Sequence, residues 1–582
     1  MRNHFLAMIL LACLLPCVVA ASAFGQGETT SAILGQVTDA TNAAIPRAMV
    51  VITNRDTGLQ RTLQTDAEGR FNFPQLPPGT YAVEAEASGF EKQRTDNVVS
   101  SLGQKQTVNF ALKLAQSRQA IEVSGEAPLI NPGNANTSTT LDAPALENLP
   151  NPGGDLTYPL QFAAGALMNT AGSSNDFVGG SNGYGNVEFN GLPALSNGYI
   201  VDGLETNDPL TNLNSGLSTN LVLGLNSISE VTVNTVSYSV DQGRYGASQV
   251  NYVTKSGSNQ FHGNLYEIWN GAALNAADYF TNATAGNTKP GSNVNHFGGS
   301  VGGPILHNKL FFFFDTEWVR ISLPIVTPAT VPTPAFESYV LQQLPLGGTD
   351  SVTGSVYPAA PCPGPACQVP FYTNMFKLFG NTSGTPLAVL GCPFNADGSE
   401  AAGSPPDGNG CANRQSVSHS SDDHEQVQTV RVDYNMNANN TGWLRFQADT
   451  GLQAAWTDPI NPIFDALSPQ PLYSVAVGYT HVFSQNLVNY FNPGFSWYSS
   501  LFAPSDLQKT LAAFPIVLQG SGANAPFTTI GGLDNTWLQG RRASRVFLND
   551  NLAWTHGAHE FMSPECWSPR RRISLSHTTS PL

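Results

Sequence analysis

The chain has 582 residues, a formal net charge of −16 and only 12% charged side chains, roughly half the share usual in globular proteins. The acidic balance argues against nucleic-acid binding, because phosphate contacts need clustered lysine and arginine. Glycine (55), proline (40) and aromatic residues (10%) are frequent. This composition predicts a mainly β chain with many turns, and the low charge also suits a barrel whose outer surface meets lipid.

The first residues have the pattern of a secretory signal peptide. Residues 1–4 carry a positive charge, residues 5–20 are apolar, and small residues at 21–23 offer a cleavage site after Ala23. The apolar run is too short for a membrane-spanning helix. We therefore expect export to the periplasm, the outer membrane or the exterior of a Gram-negative bacterium.

Residues 30–115 alternate short strands with closely spaced turns, which predicts a small β-sandwich. The segments 35–54 (GQVTDATNAAIPRAMVVITN) and 65–90 (TDAEGRFNFPQLPPGTYAVEAEASGF) resemble the carboxypeptidase regulatory-like domain. This resemblance implies a non-catalytic module, similar to transthyretin-type and carbohydrate-binding sandwiches. The strands are expected at residues 32–38, 48–54, 60–65, 70–73, 81–87 and 107–114.

Residues 118–256 are predicted to form an α+β domain, with a short helix within residues 141–150. The stretch 230–255 alternates apolar and polar residues, turns at 241–243, and alternates again, as a strand hairpin does. Together with four shorter segments, this stretch resembles the plug domain of TonB-dependent outer-membrane receptors. Residues 245–263 are similar to the plug-to-barrel junction of the Oar-like subgroup, which also carries an N-terminal regulatory-like sandwich. The four segments are residues 123–130, 147–150, 189–191 and 200–203.

The same resemblance implies which plug residues face a ligand. Two loops that match the family would be exposed towards the extracellular side. A competing interpretation is that the glycines only permit tight turns. The candidates are Asn190, Gly191, Tyr199, Asp202 and Gly203.

From residue 258 to residue 561 the pattern indicates a barrel. In residues 443–449, Leu444 and Phe446 alternate with Arg445 and Gln447, and residues 309–320, 427–434 and 473–483 behave similarly. An apolar face opposite a charged face, with aromatic residues near the strand ends, fits lipid outside and a polar lumen inside. We therefore predict part of an antiparallel transmembrane β-barrel. Residues 439–441 and 484–486 are expected as periplasmic turns, and residues 323–422 as an irregular extracellular loop.

The barrel is expected to be partial. Receptors of the resembling family have about 22 strands, whereas the roughly 300 residues after residue 258 supply only about eight to ten. Residues 562–582 show neither alternation nor a terminal aromatic strand. We therefore expect an aberrant tail there, from a truncated or frameshifted reading.

Four of the seven cysteines fall in the long segment between residues 323 and 422. Cysteines in an irregular part of an exported chain are typical of disulfides. A metal site usually shows two close ligand pairs, whereas only one close pair occurs here. We predict two disulfides, with connectivity open, among Cys362, Cys367, Cys392 and Cys411.

Motifs of enzymes and metal sites are weak in this chain. Gly-x-Ser-x-Gly occurs at residues 179–183 and 298–302, but neither lies in the strand–elbow–helix context that a hydrolase needs. An acidic segment could bind a cation, but a solvated loop end is the favoured explanation. We predict no catalytic residue and no cofactor. The weak metal candidates are Asp422, Asp423, His424 and Glu425.

Two functions are considered. The resemblance implies an outer-membrane receptor that imports a ligand and is powered by a TonB-type energy-coupling complex; siderophore, oligosaccharide and peptide ligands all stay open. The alternative is a surface binding or adhesion protein with a carbohydrate-binding-like sandwich, and the lack of a visible TonB box favours it. Uptake that stops when the proton gradient collapses distinguishes the first function from the second.

Overall fold

The computed structural model of the chain describes residues 30–114, 121–122, 137–149, 156–168, 187–207, 224–236, 245–274, 276, 293–343, 348–349, 356–357, 369–380, 385–390, 411–456, 458, 460–513, 528, 539–557, 559–567 and 572–575. The predicted signal peptide and three of the predicted disulfide cysteines, Cys362, Cys367 and Cys392, lie outside these residues. The described chain is mainly β, as predicted, and forms a sandwich, an α+β unit within residues 137–254 that keeps the name plug from its predicted identity, and a large antiparallel sheet.

The N-terminal unit is a sandwich of two sheets. One sheet has the order β4-β1-β7, with β8 also paired to β1, and the other has the order β3-β2-β5-β6-β9. Alternate residues of β2 are buried, as its period of two predicts. Their partners in the core include Ile33, Phe71 and Tyr81. The strands are β1 (Ser31–Asp39), β2 (Met49–Asn54), β3 (Gln60–Gln64), β4 (Arg70–Leu76), β5 (Gly79–Glu86), β6 (Gln93–Ser100), β7 (Lys105–Thr107), β8 (Phe110–Leu112) and β9 (Ile121–Glu122).

Two strands of the sandwich differ from the sequence prediction. β6 was not predicted, because its sequence QRTDNVVS is mostly polar and only three of its residues are buried. β9 was assigned to the plug from its position after residue 118. It instead pairs in parallel with β6, Gln93 opposite Ile121, and so extends the sandwich sheet.

The plug has its own sheet, in the order β10-β15-β16-β13-β14, and a small sheet of β11 and β12. Its short helix begins as predicted, because the Asp142 side chain caps it by accepting from the Ala145 N–H at 2.9 Å. One sheet face packs Val231, Val233 and Val250 into a closed apolar cluster. The elements are β10 (Thr137–Asp142), α1 (Ala143–Asn148), β11 (Ala166–Met168), β12 (Val187–Phe189), β13 (Asn197–Val201), β14 (Leu204–Glu205), β15 (Ile228–Val236), β16 (Ser248–Thr254) and the 3-10 helices Tyr158–Phe162, Ala194–Ser196 and Leu225–Ser227.

The remaining strands form one antiparallel sheet that runs from β17 to β29. β26 lies between β24 and β27, and β25 pairs with the same two strands. β22 pairs with β23, and β30 pairs with β28. Its elements are β17 (His262–Gly271), β18 (Asn293–Leu306), β19 (Leu310–Pro332), α2 (Pro334–Gln343), β20 (Gly348–Thr349), β21 (Val356–Tyr357), α3 (Val369–Phe379), β22 (Thr385–Leu390), β23 (Ala412–Asn437), β24 (Asn440–Trp456), the 3-10 helix Pro462–Phe464, β25 (Ala466–Pro469), β26 (Leu472–Ser484), β27 (Leu487–Pro504), α4 (Leu507–Ala513), β28 (Gln539–His556), β29 (His559–Trp567) and β30 (Arg572–Leu575). β20 and β21 form a separate hairpin.

Burial in the large sheet is inverted relative to a soluble protein. Arg445 is 1% exposed and Asp315 is fully buried, whereas Leu444 and Phe446 are 47% and 41% exposed. The apolar face therefore points outward and the charged face points to the plug, as the alternation predicted. Among the described helices, none has both the length and the apolar character needed to cross a bilayer.

Two boundaries predicted from sequence are corrected. The segment 323–422 is not irregular throughout, because β19 continues to Pro332 and β23 already begins at Ala412, and the two strands stay paired along this extension. Apolar residues of α3 pack on β19 there and form a small separate core with Phe464. The expected tail from residue 562 is in part ordered strand, since β29 reaches Trp567 and β30 also pairs with β28.

Candidate functional site

The plug meets the sheet through the hairpin of β13 and β14. Its two-residue turn is Asp202-Gly203, and both residues have positive φ, +47° and +83°. Positive φ at both central positions is the type I′ turn that matches the twist of a tight hairpin. The turn brings the Asp202 carboxylate to the plug surface, where the wall of the sheet covers it.

Asp202 is 3% exposed and lies between two arginines of the sheet. Its Oδ2 is 3.3 Å from Arg445 Nε, and its Oδ1 is 3.6 Å from Arg431 Nη1. Thr254 of the plug donates its backbone N–H to Oδ1 at 3.0 Å and its hydroxyl to Oδ2 at 2.8 Å. A buried carboxylate is stable only when it is paired and hydrogen-bonded in this way.

The two arginines need this carboxylate. Arg431 on β23 and Arg445 on β24 are direct cross-strand neighbours on the same face. Like charges directly opposite each other are destabilising. Asp433 also pairs with Arg431, whose guanidinium lies 4.7 Å from the ring of Trp443, but among the described residues Asp202 is the acid that contacts both arginines.

The other side of the same hairpin contacts β28. Arg545 donates to the backbone oxygens of Glu205 (3.2 Å) and Asn207, and Asn549 donates to the Gly203 oxygen at 3.0 Å. Leu204 packs with Ala476 and Phe547. It approaches β27 so closely that a Cβ added to Gly494 would lie 2.1 Å from a Leu204 methyl group. The hairpin is therefore held by strands on both of its sides.

A second plug segment, the 3-10 helix Leu225–Ser227, contacts the first strands of the sheet. Asn226 donates its backbone N–H to Glu317 at 3.2 Å and its Nδ2 to Asp315 Oδ1 at 2.6 Å. Glu317 in turn lies 2.7 Å from His296 Nε2. These polar contacts help to position the plug against the first strands of the sheet.

The sandwich touches both the plug and the turns of the sheet. The buried Leu102 N–H donates to Glu230 Oε1 of the plug at 2.7 Å. Burial raises the pKa of Glu230, although this hydrogen bond and one from Thr232 oppose the rise. At the turns, Gln75 Nε2 donates to the Asn551 oxygen at 2.7 Å, and Asn259 N–H donates to the Asp56 oxygen at 2.8 Å.

The five plug residues predicted to face a ligand do not act together. Asn190 and Gly191 are exposed and have positive φ, +52° and +75°, so their conformation is that of a tight turn. Tyr199 has no exposed surface and belongs to the plug core, which corrects its assignment as a ligand contact. Asp202 and Gly203 are buried against the sheet and contact protein groups there.

The cysteine and metal predictions have different outcomes. Cys411 is disulfide-bonded, in agreement with the sequence prediction for that residue. Asp422, Asp423, His424 and Glu425 follow one another in β23 instead of forming a loop end. Successive residues of a strand point to opposite faces, and His424 is exposed whereas Glu425 is buried. The described residues contain no group of three or more side chains arranged to hold a metal ion.

The sequence did not single out Arg431, Arg445 or Arg545. Arg431 and Arg445 belong to predicted strand faces with charges in mid-strand, and that was the available signal, whereas Arg545 lies outside the predicted strands. It could not reveal that all three reach the same plug hairpin, because the hairpin is far from each of these arginines along the chain. Residues 298–302, which carry the second Gly-x-Ser-x-Gly motif, lie within strand β18, so the strand–elbow–helix turn of a hydrolase does not form there.

Comparisons with known proteins place these features in context. Residues 253–563 match the family described as the outer membrane beta barrel domain, and residues 32–113 match the carboxypeptidase regulatory-like domain. The TonB-dependent transporter Oar of Myxococcus xanthus is 32% identical over 301 residues. That alignment covers 50% of this chain and 27% of that protein, so the chain spans about a quarter of the length of this relative.

Two solved structures are similar at low identity. The outer membrane transporter YddB of Escherichia coli is 12% identical, with 74% of this chain and 49% of that chain covered and a TM-score of 0.44. The ferripyoverdine receptor of Pseudomonas aeruginosa is 9% identical, with 76% and 53% covered and a TM-score of 0.39.

Proposed function

Because this chain belongs to the outer membrane beta barrel family and carries an N-terminal carboxypeptidase regulatory-like domain, as Oar-like TonB-dependent receptors do, we propose that it acts in TonB-dependent uptake of an extracellular ligand. The proposed location is the outer membrane of a Gram-negative bacterium, reached through a signal peptide. The proposed partners are the ligand, outer-membrane lipid and a TonB-type energy-coupling complex. No catalytic role is proposed.

The observation that supports this proposal is the chemistry of the plug–barrel contact. The plug has its own closed apolar core, and the contacts of Asp202 with Arg431 and Arg445 are ionic. Breaking ionic and hydrogen-bonded contacts exposes groups that water can solvate, whereas splitting an apolar core would expose surface that water disfavours. A plug seated in this way can leave the lumen as a folded unit when a partner pulls on it.

The test is uptake by cells that express the chain. A labelled ferric siderophore, a labelled oligosaccharide and a labelled peptide are each offered, with and without a protonophore. Accumulation of one of these probes that stops when the proton gradient collapses supports the proposal. Cell-surface binding that is unchanged by the protonophore, without accumulation, instead supports a surface binding protein.

A further inference from the structure

A polar cavity lies between the sandwich and the turns of the barrel. It has a volume of about 570 Å³, which is within the range of small-molecule sites. The sandwich contributes Asp66, Arg70 and Asn72, and the barrel contributes the turn residues Gln485 and His559. The cavity is therefore formed only when the sandwich is docked on the barrel. One contact of this docking is the hydrogen bond from Asn72 Nδ2 to Thr555 Oγ1 at 3.3 Å.

The barrel side of this cavity is at the edge of the lipid-facing surface. Trp554 and Phe561 are cross-strand neighbours next to the turn, with ring centroids 5.3 Å apart, and they are 47% and 53% exposed on the outer face. Exposed aromatic residues near strand ends mark the level of lipid headgroups. His559 is also exposed, and its ring is 6.2 Å from that of Phe561. The cavity thus opens beside the place where headgroups lie.

One cation lies between two anions at this cavity: Asp66 and Arg70 line it, and Glu68 pairs with Arg70 from outside the lining. Arg70 Nε is 2.9 Å from Asp66 Oδ2, and Arg70 Nη2 is 2.8 Å from Glu68 Oε2. Within the described residues, Arg70 Nη1 makes no hydrogen bond, and the side chain is 35% exposed. A guanidinium with an unused N–H fork is a good partner for a phosphate, while the flanking carboxylates are partners for an ammonium group.

We propose that this cavity binds the headgroup of a zwitterionic phospholipid with a primary ammonium, taken from the periplasmic leaflet of the membrane. Arg70 Nη1 and His559 hold the phosphate, and Glu68 and Asp66 accept from the ammonium. The acyl chains extend along the outer face past Trp554 and Phe561. The bound lipid would hold the sandwich against the barrel, independently of whether the chain transports a ligand.

The arrangement distinguishes this ligand from related ones. A lipid with only a negative headgroup, or free phosphate, brings no cation of its own to Asp66 and Glu68, which already share the single charge of Arg70. A trimethylated ammonium cannot donate a hydrogen bond to Glu68 or Asp66. The expected order of affinity is therefore phosphatidylethanolamine above phosphatidylcholine and phosphatidylglycerol.

The experiment measures lipid retained by the full chain. Purified protein is incubated with dioleoyl phosphatidylethanolamine, phosphatidylcholine or phosphatidylglycerol, and the bound lipid is counted by native mass spectrometry. Arg70→Gln should lower retention of the ethanolamine lipid about tenfold, because one charge-assisted contact is lost. Glu68→Gln should instead reduce the preference for the ethanolamine lipid over the choline lipid.

The matched control is Arg94→Gln. Arg94 is an exposed arginine that is also paired with acids, but it lies in the other sheet of the sandwich and away from the cavity. Equal retention by Arg70→Gln and Arg94→Gln overturns the proposal, and so does equal retention of all three lipids by the unchanged protein. Displacement of the lipid by millimolar inorganic phosphate overturns it in favour of a free-phosphate site. Circular dichroism of each variant confirms that its strands are intact before lipid is counted.

Discussion

Asp202 of the plug and Arg445 of the barrel form an ion pair, with Oδ2 3.3 Å from Nε, in which neither side chain is more than 3% exposed. The pair joins residues that are far apart in sequence and belong to different domains. Without Asp202, Arg445 would face Arg431 with no shared counter-ion, because Asp202 contacts both arginines. Asp202 is therefore one of the groups that seat the plug, beside the contacts made by Leu204 and Asn226.

The first prediction concerns the variant Asp202→Asn. It leaves two buried guanidinium groups opposite each other without their shared counter-ion, so we expect the plug to be less firmly seated by about 3 kcal/mol. The measurement is the urea concentration at which the plug becomes sensitive to protease, with the full chain in detergent. Glu147→Gln is the control, because Glu147 pairs with Lys255 while 55% exposed and should change seating by less than about 1 kcal/mol.

The same site gives a double-variant test. In Asp202→Asn with Arg445→Gln, only one arginine is left at the site, so the double variant should be more firmly seated than the sum of the two single changes predicts. Simple additivity of the two changes in free energy would show that the three side chains do not act as a unit.

The second prediction concerns Gly494. An added Cβ would lie 2.1 Å from a methyl group of Leu204, which is itself buried in a small cluster. Gly494→Ala should therefore weaken plug seating by about 1–2 kcal/mol through overpacking. In a Leu204→Ala background the same change should cost little, because the obstructing methyl groups are gone. An equal cost in both backgrounds would contradict the contact.

The third prediction concerns pH and Glu230. Burial raises its pKa in the folded protein, so the neutral form is favoured by folding. The stability gained in this way is fully present below the ordinary pKa of a glutamate and is lost as the pH rises through the raised value. The junction of sandwich and plug should therefore weaken as the pH rises above the ordinary glutamate pKa of about 4.

Glu230→Gln isolates this effect. The variant keeps an oxygen that accepts from the Leu102 N–H but cannot titrate. We expect the difference in urea midpoint between the variant and the unchanged protein to shift in favour of the variant as the pH rises. A difference in urea midpoint that stays constant as the pH rises would mean that Glu230 does not titrate over the pH range measured.

The fourth prediction concerns Tyr81. Burial raises its pKa to about 12, and its hydroxyl donates to the Pro77 oxygen at 2.7 Å. The sandwich should lose about 2–3 kcal/mol of stability as the pH rises from the ordinary tyrosine value towards the raised one. Tyr81 is the sole tyrosine between residues 24 and 122. The measurement is the absorbance at 295 nm of a fragment with residues 24–122. In the folded fragment this tyrosine should titrate at a pH above the ordinary tyrosine pKa, and in guanidinium it should titrate near the ordinary pKa.

The alternation in residues 443–449 was sufficient to predict which side chains face outward. Leu444 and Phe446 meet lipid and Arg445 faces the lumen because a strand offers only two faces and the charge has one tolerable side. The charged network was not predictable, because Asp202 and Arg445 meet only through a register that many intervening strands determine. The outward face of a strand follows from residues that are neighbours along that strand, whereas the plug contact joins residues that are distant in sequence.

Tyr199 shows a different limit of the sequence. In β13 four successive residues are buried, since one face packs in the plug core and the other lies against further protein. When both faces are covered, a period of two no longer marks an outer side. The family resemblance could not tell a buried tyrosine from an exposed one.

The direct pairing of Arg431 with Arg445 has one more consequence for transport. If the plug withdraws, Asp202 leaves with it, and two guanidinium groups face the vacated space. Asp433 still pairs with Arg431 there, so Arg445 is the arginine that loses its counter-ion, and a guanidinium without a counter-ion in a water-filled space attracts anions. If the chain acts in uptake as proposed, the carboxylate that holds the plug in place would also mask this positive charge of the barrel wall at rest.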